Sequence, residues 1–140
     1  MFGGEYKHGL DSKNRIFMPA KLREDLGSVF VVVKDLRETC LKVYSLEGWE
    51  EYLKPIRQQN RKLQDRVMRV LNSTMAQVSP DSQGRITLPR ELVALAEIKE
   101  SATVVGCGYY AEIWSEELYA KQKENEDLEE LLAELEALNL

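Results

Sequence analysis

Histidine, cysteine and long apolar runs are scarce in this 140-residue chain, and each shortage removes a class of function. A single histidine, His8, leaves no imidazole pair for a metal site or a relay, and it reads as structural or solvated. Glycine is sparse and forms no phosphate-cradling loop, and no nucleophile-elbow or zinc signature occurs, so an enzyme, a metal, a cofactor and a small-molecule substrate are not expected. The two cysteines, Cys40 and Cys107, stand far apart and in no metal-ligand spacing, and they read as buried thiols rather than a disulfide. No apolar run approaches the roughly 20 residues a membrane span requires. The opening Met-Phe-Gly-Gly-Glu-Tyr-Lys is no secretory leader, so no membrane association and a cytoplasmic location are expected.

Positive charge is also short: 19 Lys and Arg face 24 Asp and Glu, a net of -5. The deficit is local. Residues 112–140 hold ten acids against Lys121 and Lys123, a net of -8, which leaves 1–111 at +3. An acidic tail therefore hides a mildly basic body, which permits a nucleic-acid partner.

What the chain has is a duplication. Residues 11–22 and 81–92 match at six of twelve positions: Asp, Ser, Arg, Ile, Pro and Leu. The offset of seventy carries on without a gap in this reading: Leu41–Ser45 falls on Ala111–Ser115, and Trp49 on Tyr119. Each copy reads as strand, tight turn, strand, helix, strand, helix. The fourth turn residue is Asn14 in one copy and Gly84 in the other, the two residue types that best tolerate a positive φ. The opening Asp11 and Asp81 can bond their own backbone two residues on. After each turn, alternation sends Ile16, Met18, Ile86 and Leu88 inward and leaves Arg15, Phe17, Arg85 and Thr87 on the other face.

Further elements follow from local chemistry. Pro19 and Pro89 suit the first turn of helices over 20–26 and 90–96, the first closed by Gly27. Phe30–Val33 and Thr103–Val105 read as central strands. Ser45 and Ser115 are N-cap candidates, and Pro55 is expected to kink or break the helix after Ser45. Between the copies, Leu63, Val67, Val70 and Leu71 form one stripe on a helix whose other faces carry Arg57, Arg61, Lys62, Arg66 and Arg69. That basic surface over 57–69 is either a solvated face or a second DNA contact. The chain closes on Leu128, Leu131, Leu132, Leu135 and Leu138, a heptad-like seam on an acidic helix that needs cover from the body or from another subunit.

The candidate functional residues cluster at the turns. Arg15 and Arg85 each stand at the mouth of a turn, where a guanidinium can reach a phosphate or pair bidentately with guanine. The structural alternative is that each ties its turn through Asp11 or Asp81, and both roles are compatible. Lys13, with Lys7, His8, Lys21 and Arg23 nearby in sequence, makes the first turn basic. Gln83, Arg90 and Glu91 make the second poorer in charge. DNA contacts are accordingly assigned to Arg15, Lys13, Asn14, Arg85, Gln83, Gly84 and Lys7, with Asp11 and Asp81 orienting the motif.

The paired Asp-x-x-x-Arg-x-x-x-Pro elements, with Met1-Phe-Gly-Gly4, Leu10–Arg15, Pro19–Arg23, Cys40–Tyr44, Trp49, Asp81–Arg85 and Glu112–Trp114, resemble the MraZ family of bacterial transcriptional regulators in the SpoVT-AbrB superfamily. The resemblance implies an α+β fold: two tandem AbrB-like strand-turn-strand-helix units, residues 1–70 and 71–140, closing one β-barrel with pseudo-two-fold symmetry, plus peripheral helices and a C-terminal acidic helix. It implies a nucleoid-associated, ring-shaped homo-oligomer on double-stranded DNA, reading direct repeats upstream of the division and cell-wall gene cluster, its own promoter included. Asn14 departs from the glycine usual in the first turn, with the backbone geometry expected to survive.

Magnitudes favour repetition independently. One bidentate Arg–guanine contact discriminates by about 1–3 kcal/mol, and a specific site needs about 4–10 kcal/mol over non-specific DNA. Two turns per chain are too few, and multivalency supplies the rest. The alternative function is an oligomeric interaction or scaffold module without sequence-specific DNA binding, working through the leucine-rich acidic helix or the basic middle helix.

Overall fold

A computed structural model describes residues 1–140. The chain is a mixed α+β fold with two antiparallel sheets. Strands β1 (Glu5–Gly9) and β2 (Arg15–Phe17) flank the first turn, followed by α1 (Ala20–Leu26), β3 (Phe30–Lys34), β4 (Leu41–Ser45), α2 (Leu46–Arg57) and α3 (Arg61–Thr74). The second half repeats the order with β5 (Ala76–Val78), β6 (Arg85–Thr87), α4 (Arg90–Leu95), β7 (Ser101–Gly106), β8 (Ala111–Ser115), α5 (Glu116–Glu124) and α6 (Leu128–Ala137).

The larger sheet runs β1-β7-β8-β4-β3-β5, and β2 pairs with β6 as a separate ribbon. Exchanging the halves turns that strand order into itself. Four pairings join one half to the other: β1 with β7, β5 with β3, β4 with β8 and β2 with β6. Only β3–β4 and β7–β8 stay within a half. Neither half can satisfy its strand edges alone. Two registers mark the relation between the halves, because Ile16 pairs with Ile86 and Lys42 with Glu112, each with its own counterpart seventy residues on.

Each half holds four strands where the sequence reading expected three. Leu41–Ser45 and Ala111–Ser115 were legible as equivalent segments but are themselves strands, and β4 pairing with β8 closes the centre of the sheet. The constant offset is corrected too. Val32 pairs with Val43 and Val104 with Ile113. Since Ile113 lies 70 beyond Val43, Val104 lies 72 beyond its counterpart Val32. The loop before β7 (96–100) is two residues longer than its counterpart (27–29), and the hairpin loop after it (107–110) two shorter than 35–40. The two changes cancel, which is why seventy returns at β8.

One cluster of 18 buried side chains fills the centre, with Ile16, Met18, Ile86 and Leu88 joining Phe30, Val32, Val104 and Ile113 from both sheets. A second cluster lies on the outer face of β3, where Val31, Val33 and Tyr44 meet Trp49 and Leu53 of α2 and Leu71 of α3. Burial on both faces explains the unbroken Phe30–Val33 run.

Local chemistry sets the helix ends. Ser45 and Ser115 accept the Gly48 and Leu118 N–H groups as N-caps. Pro19 and Pro89 sit at the N-cap itself rather than inside the first turn, with ψ of 140° and 143°. Gly27 takes a φ of 85° and donates its N–H to the Arg23 carbonyl, ending α1. Pro55 does not break α2, which continues to Arg57; it lies in the last turn, where little helix remains to be disrupted. The expected stripe on α3 divides: Leu71 is buried, Val67 half-buried, and Leu63 and Val70 remain exposed. No helix is long and apolar enough to cross a membrane. Cys40 is fully buried and Cys107 half-buried, both free thiols, and desolvation pushes the Cys107 thiol up to about 12.

Candidate nucleic-acid interface

The ribbon β2–β6 collects the candidate residues. Ile16 and Ile86 point inward with no exposure, each withdrawing apolar surface worth about 1.5–3 kcal/mol. Alternation then leaves Arg15 and Phe17 outward from β2, and Arg85 and Thr87 from β6. Antiparallel pairing sets Arg15 opposite Thr87 and Phe17 opposite Arg85, so the two arginines stand diagonally across one face. The turns Asp11–Asn14 and Asp81–Gly84 fall at opposite ends of the ribbon, because each precedes its own strand. Two further backbone bonds lengthen it: Met18 N–H donates to the Gly84 carbonyl and Leu88 N–H to the Asn14 carbonyl.

Each turn is built by its aspartate. Asp11 Oδ1 accepts the backbone N–H groups of Lys13 and Arg15 at 2.9 Å, and Oδ2 accepts Arg15 Nε at 2.7 Å. Asp81 does the same with Gln83 and Arg85, the Nε bond being 3.0 Å. Asn14 has a φ of 58° and Gly84 of 81°, so both turns close through a left-handed residue, as their composition predicts. These bonds favour the charged carboxylate: the Arg15 N–H first, then the Arg15 guanidinium and the Lys13 N–H, hold Asp11 at about 2 against an ordinary 3.8. Asp81 is lowered in the same direction, led by the Arg85 N–H.

Tying the turn and offering a guanidinium are compatible roles. The aspartates engage Nε, which fixes the plane of each guanidinium and leaves Arg15's terminal nitrogens without a bond inside the chain. Arg85 Nη1 lies 3.9 Å from Asp11 Oδ2, so Asp11 stands between both arginines and couples the two ends. Both side chains keep about a third of their surface, 30% and 28%.

The structure brings together Asp11, Lys13, Asn14, Arg15, Asp81, Gln83, Gly84 and Arg85. It sets Lys7 apart: on β1, Lys7 pairs with Glu116 of α5. Its neighbour His8 instead faces the ribbon, with its ring 5.5 Å from Phe17. Sequence proximity to the first turn also hides where Arg23 goes. From α1 its guanidinium crosses to the second turn, donating from Nε to the Met18 carbonyl at 2.9 Å and lying 5.9 Å from the Phe17 ring. A Cβ added to Gly84 would stand 2.9 Å from its Cζ. The charge that Gln83 fails to supply is thus brought by the other half. Gly84 in a β-turn was the available signal, as a close approach requires a residue without Cβ. The basic helix face is separate, over β3, and the largest cavity, about 740 Å³, is lined by Lys42, Tyr44, Tyr52 and Tyr110 among others and includes no ribbon residue.

Comparison with known proteins agrees with this duplication. The family model described as "MraZ protein, putative antitoxin-like" matches twice, over residues 1–70 and 73–138. A transcriptional regulator MraZ of Clostridium tetani (strain Massachusetts / E88) is 38% identical over 144 residues, covering all of both chains. Those of Heliobacterium modesticaldum and Clostridium acetobutylicum are 42% and 41% identical, covering 89% of this chain and 87% and 89% of theirs.

Proposed function

The chain belongs to the MraZ family of DNA-binding transcriptional regulators, which are not enzymes, and on that premise we propose that the ribbon β2–β6 is its DNA-reading surface. A B-DNA major groove about 12 Å wide admits a two-stranded β-ribbon. Here such a ribbon presents Arg15 and Arg85 on one face, each held through Nε by Asp11 or Asp81, with both terminal nitrogens of Arg15 free for guanine or phosphate and Arg85 Nη1 only 3.9 Å from Asp11. That pre-set pair of guanidiniums is the observation that carries the reading. Lys13, Asn14, Gln83 and Gly84 add turn contacts, and Lys7 is a peripheral one that must first leave Glu116.

The finer reading places the protein in the cytoplasm on the nucleoid, bound to direct repeats upstream of the division and cell-wall gene cluster and at its own promoter. It acts as a ring-shaped homo-oligomer, each chain composed of repeats 1–70 and 71–140. The two sheets close together as one barrel with pseudo-two-fold symmetry, a reading supported by the single core that draws side chains from both. The net charge of -5 makes individual contacts weak, and repetition around an oligomer compensates.

Fluorescence anisotropy with the chain's own upstream DNA, against a duplex of scrambled repeats and over a salt series, tests this reading. Preference for the repeat duplex and a steep fall of affinity with salt are expected. Equal affinity for both duplexes would return the scaffold alternative. An Arg15→Ala chain that stays folded and binds as tightly as wild type would remove the assigned surface.

A further inference from the structure

Helix α6 is the part of the molecule that the DNA-reading surface leaves unexplained. It contributes no residue to either buried cluster, and none of its side chains is buried. Leu128, Leu131, Leu132 and Leu138 are exposed, and helical spacing places them with Leu135 on one face. Glu136 and Glu129 edge that face on one side and Glu134 on the other, with no basic residue anywhere in the helix. In the first half the equivalent helix, α3, covers the outer face of β3. Here the copies diverge: α3 is packed on a sheet and α6 on neither cluster.

Helix α3 carries the opposite chemistry. Its exposed Leu63 and Val70 form a shallow apolar ledge with Leu36, Val67 and the stem of Arg66, over a cavity of about 250 Å³. Lys62, Arg66 and Arg69 lie on the adjoining face of the helix, and none of the three pairs with an acid of its own chain, unlike Arg61 with Asp65. One surface is leucine edged by acids; the other is leucine and valine edged by bases. Within the chain they are held apart: α5, which leads into α6, packs on β7 and β8, while the ledge lies over β3.

We infer that α6 of one chain seats its leucine face on the α3 ledge of a second copy of this chain, with Glu134 and Glu136 set against Lys62, Arg66 and Arg69. The contact is head to tail, each copy giving a helix and receiving one, so it propagates and closes into a ring when the rotation between copies closes. The inference rests on the oligomeric reading above and names the contact that builds the assembly. Neither helix contributes a residue to the ribbon.

Light scattering of the full chain at micromolar concentration, with a charge-reversal cycle, tests it. Wild type is expected to be oligomeric. Leu131→Asp with Leu135→Asp, and separately Glu134→Lys with Glu136→Lys, are expected to reduce it to smaller species, the latter requiring at least about tenfold higher concentration to assemble. Circular dichroism melts should stay unchanged, because α6 is outside both cores. Adding Arg66→Glu and Arg69→Glu to the lysine variant is expected to restore assembly. Mixed Val70→Cys and Leu135→Cys chains should cross-link to each other. An aspartate variant with wild-type mass overturns the contact while leaving the oligomeric reading intact, as does failure of the mixed chains to cross-link. A charge cycle that dissociates without restoration removes α3 as the receiving surface. A monomeric wild type overturns both readings.

Discussion

The two turns share a backbone and differ in their charge. Asp11 and Asp81 accept the same three bonds, and Asn14 and Gly84 take the same left-handed conformation. Around them Lys13 faces Gln83, and Arg23 has Val93 as its counterpart. Duplication has kept what shapes the ribbon and released what decorates it. Fusion also permits what two identical chains could not have. Lys42 lies directly opposite its own counterpart, and that counterpart is Glu112; identical halves would set like charges there, which is destabilising.

The shared part of the comparison predicts the largest effects. Ile16 and Ile86 pair with each other at the centre of the ribbon and are fully buried. Ile16→Ala and Ile86→Ala should each cost about 2–5 kcal/mol in urea denaturation, agreeing within about 1 kcal/mol. The double variant should cost less than the sum, because the two side chains share one site. A large difference between the single variants would mean that the halves are not equivalent even in their core.

The divergent part predicts a smaller and unequal effect on DNA. Arg15→Ala is expected to weaken repeat-DNA binding by about 1–3 kcal/mol, roughly 5- to 150-fold per contact. Arg85→Ala should weaken it less, because Asp11 already holds Arg85 Nη1 at 3.9 Å whereas the terminal nitrogens of Arg15 have no partner inside the chain. Equal losses in anisotropy titrations would show that the Asp11 contact does not hold Arg85 back from DNA.

Next in size are the turn residues. Gly84→Ala forces a side chain to a φ of 81° and against the Arg23 guanidinium, and should cost about 1–2 kcal/mol from the backbone conformation alone. Adding Arg23→Ala should recover the crowding part and leave the conformational part. Asn14→Gly, at the matching position, should change stability by under about 1 kcal/mol. Urea melts of the four chains separate backbone strain from the crossing contact.

How far these features were legible depends on whether one segment contained the signal. Alternation in Arg15–Met18 and Arg85–Leu88 reveals the inward isoleucines and outward arginines, since both follow from strand geometry alone. Ser45, Ser115 and Gly27 reveal helix ends for the same reason. The fourth strand of each half was hidden because β4 and β8, each paired with a strand of its own half, become central only by pairing with each other across the duplication. Arg23 reads as first-turn charge in sequence and crosses to the second turn in space. Lys7 reads as ribbon charge, and strand alternation turns it to α5. The stripe on α3 is periodic throughout, yet the sheet beneath covers only part of it.

The smallest predicted effect is also the most direct reading of the asymmetry. Asp11 is held at about 2 by its own turn and lies 3.9 Å from Arg85 as well, whereas only Arg85 forms an ion pair with Asp81. A carboxylate lowered by folding stabilises the native state above its ordinary value, 3.8 for aspartate, and that contribution is lost as pH falls through the folded value. Each turn should therefore lose its contribution progressively as pH falls below 3.8, the loss at the first turn being complete only below about pH 2. Carboxyl carbon shifts followed by NMR from pH 5 downward report each midpoint separately. Arg15→Gln should raise the Asp11 midpoint and leave Asp81 in place. Arg85→Gln should raise Asp81 and, by a smaller amount, Asp11. If Arg85→Gln moves Asp81 alone, the arginine does not bridge the turns, and the two ends of the ribbon act independently.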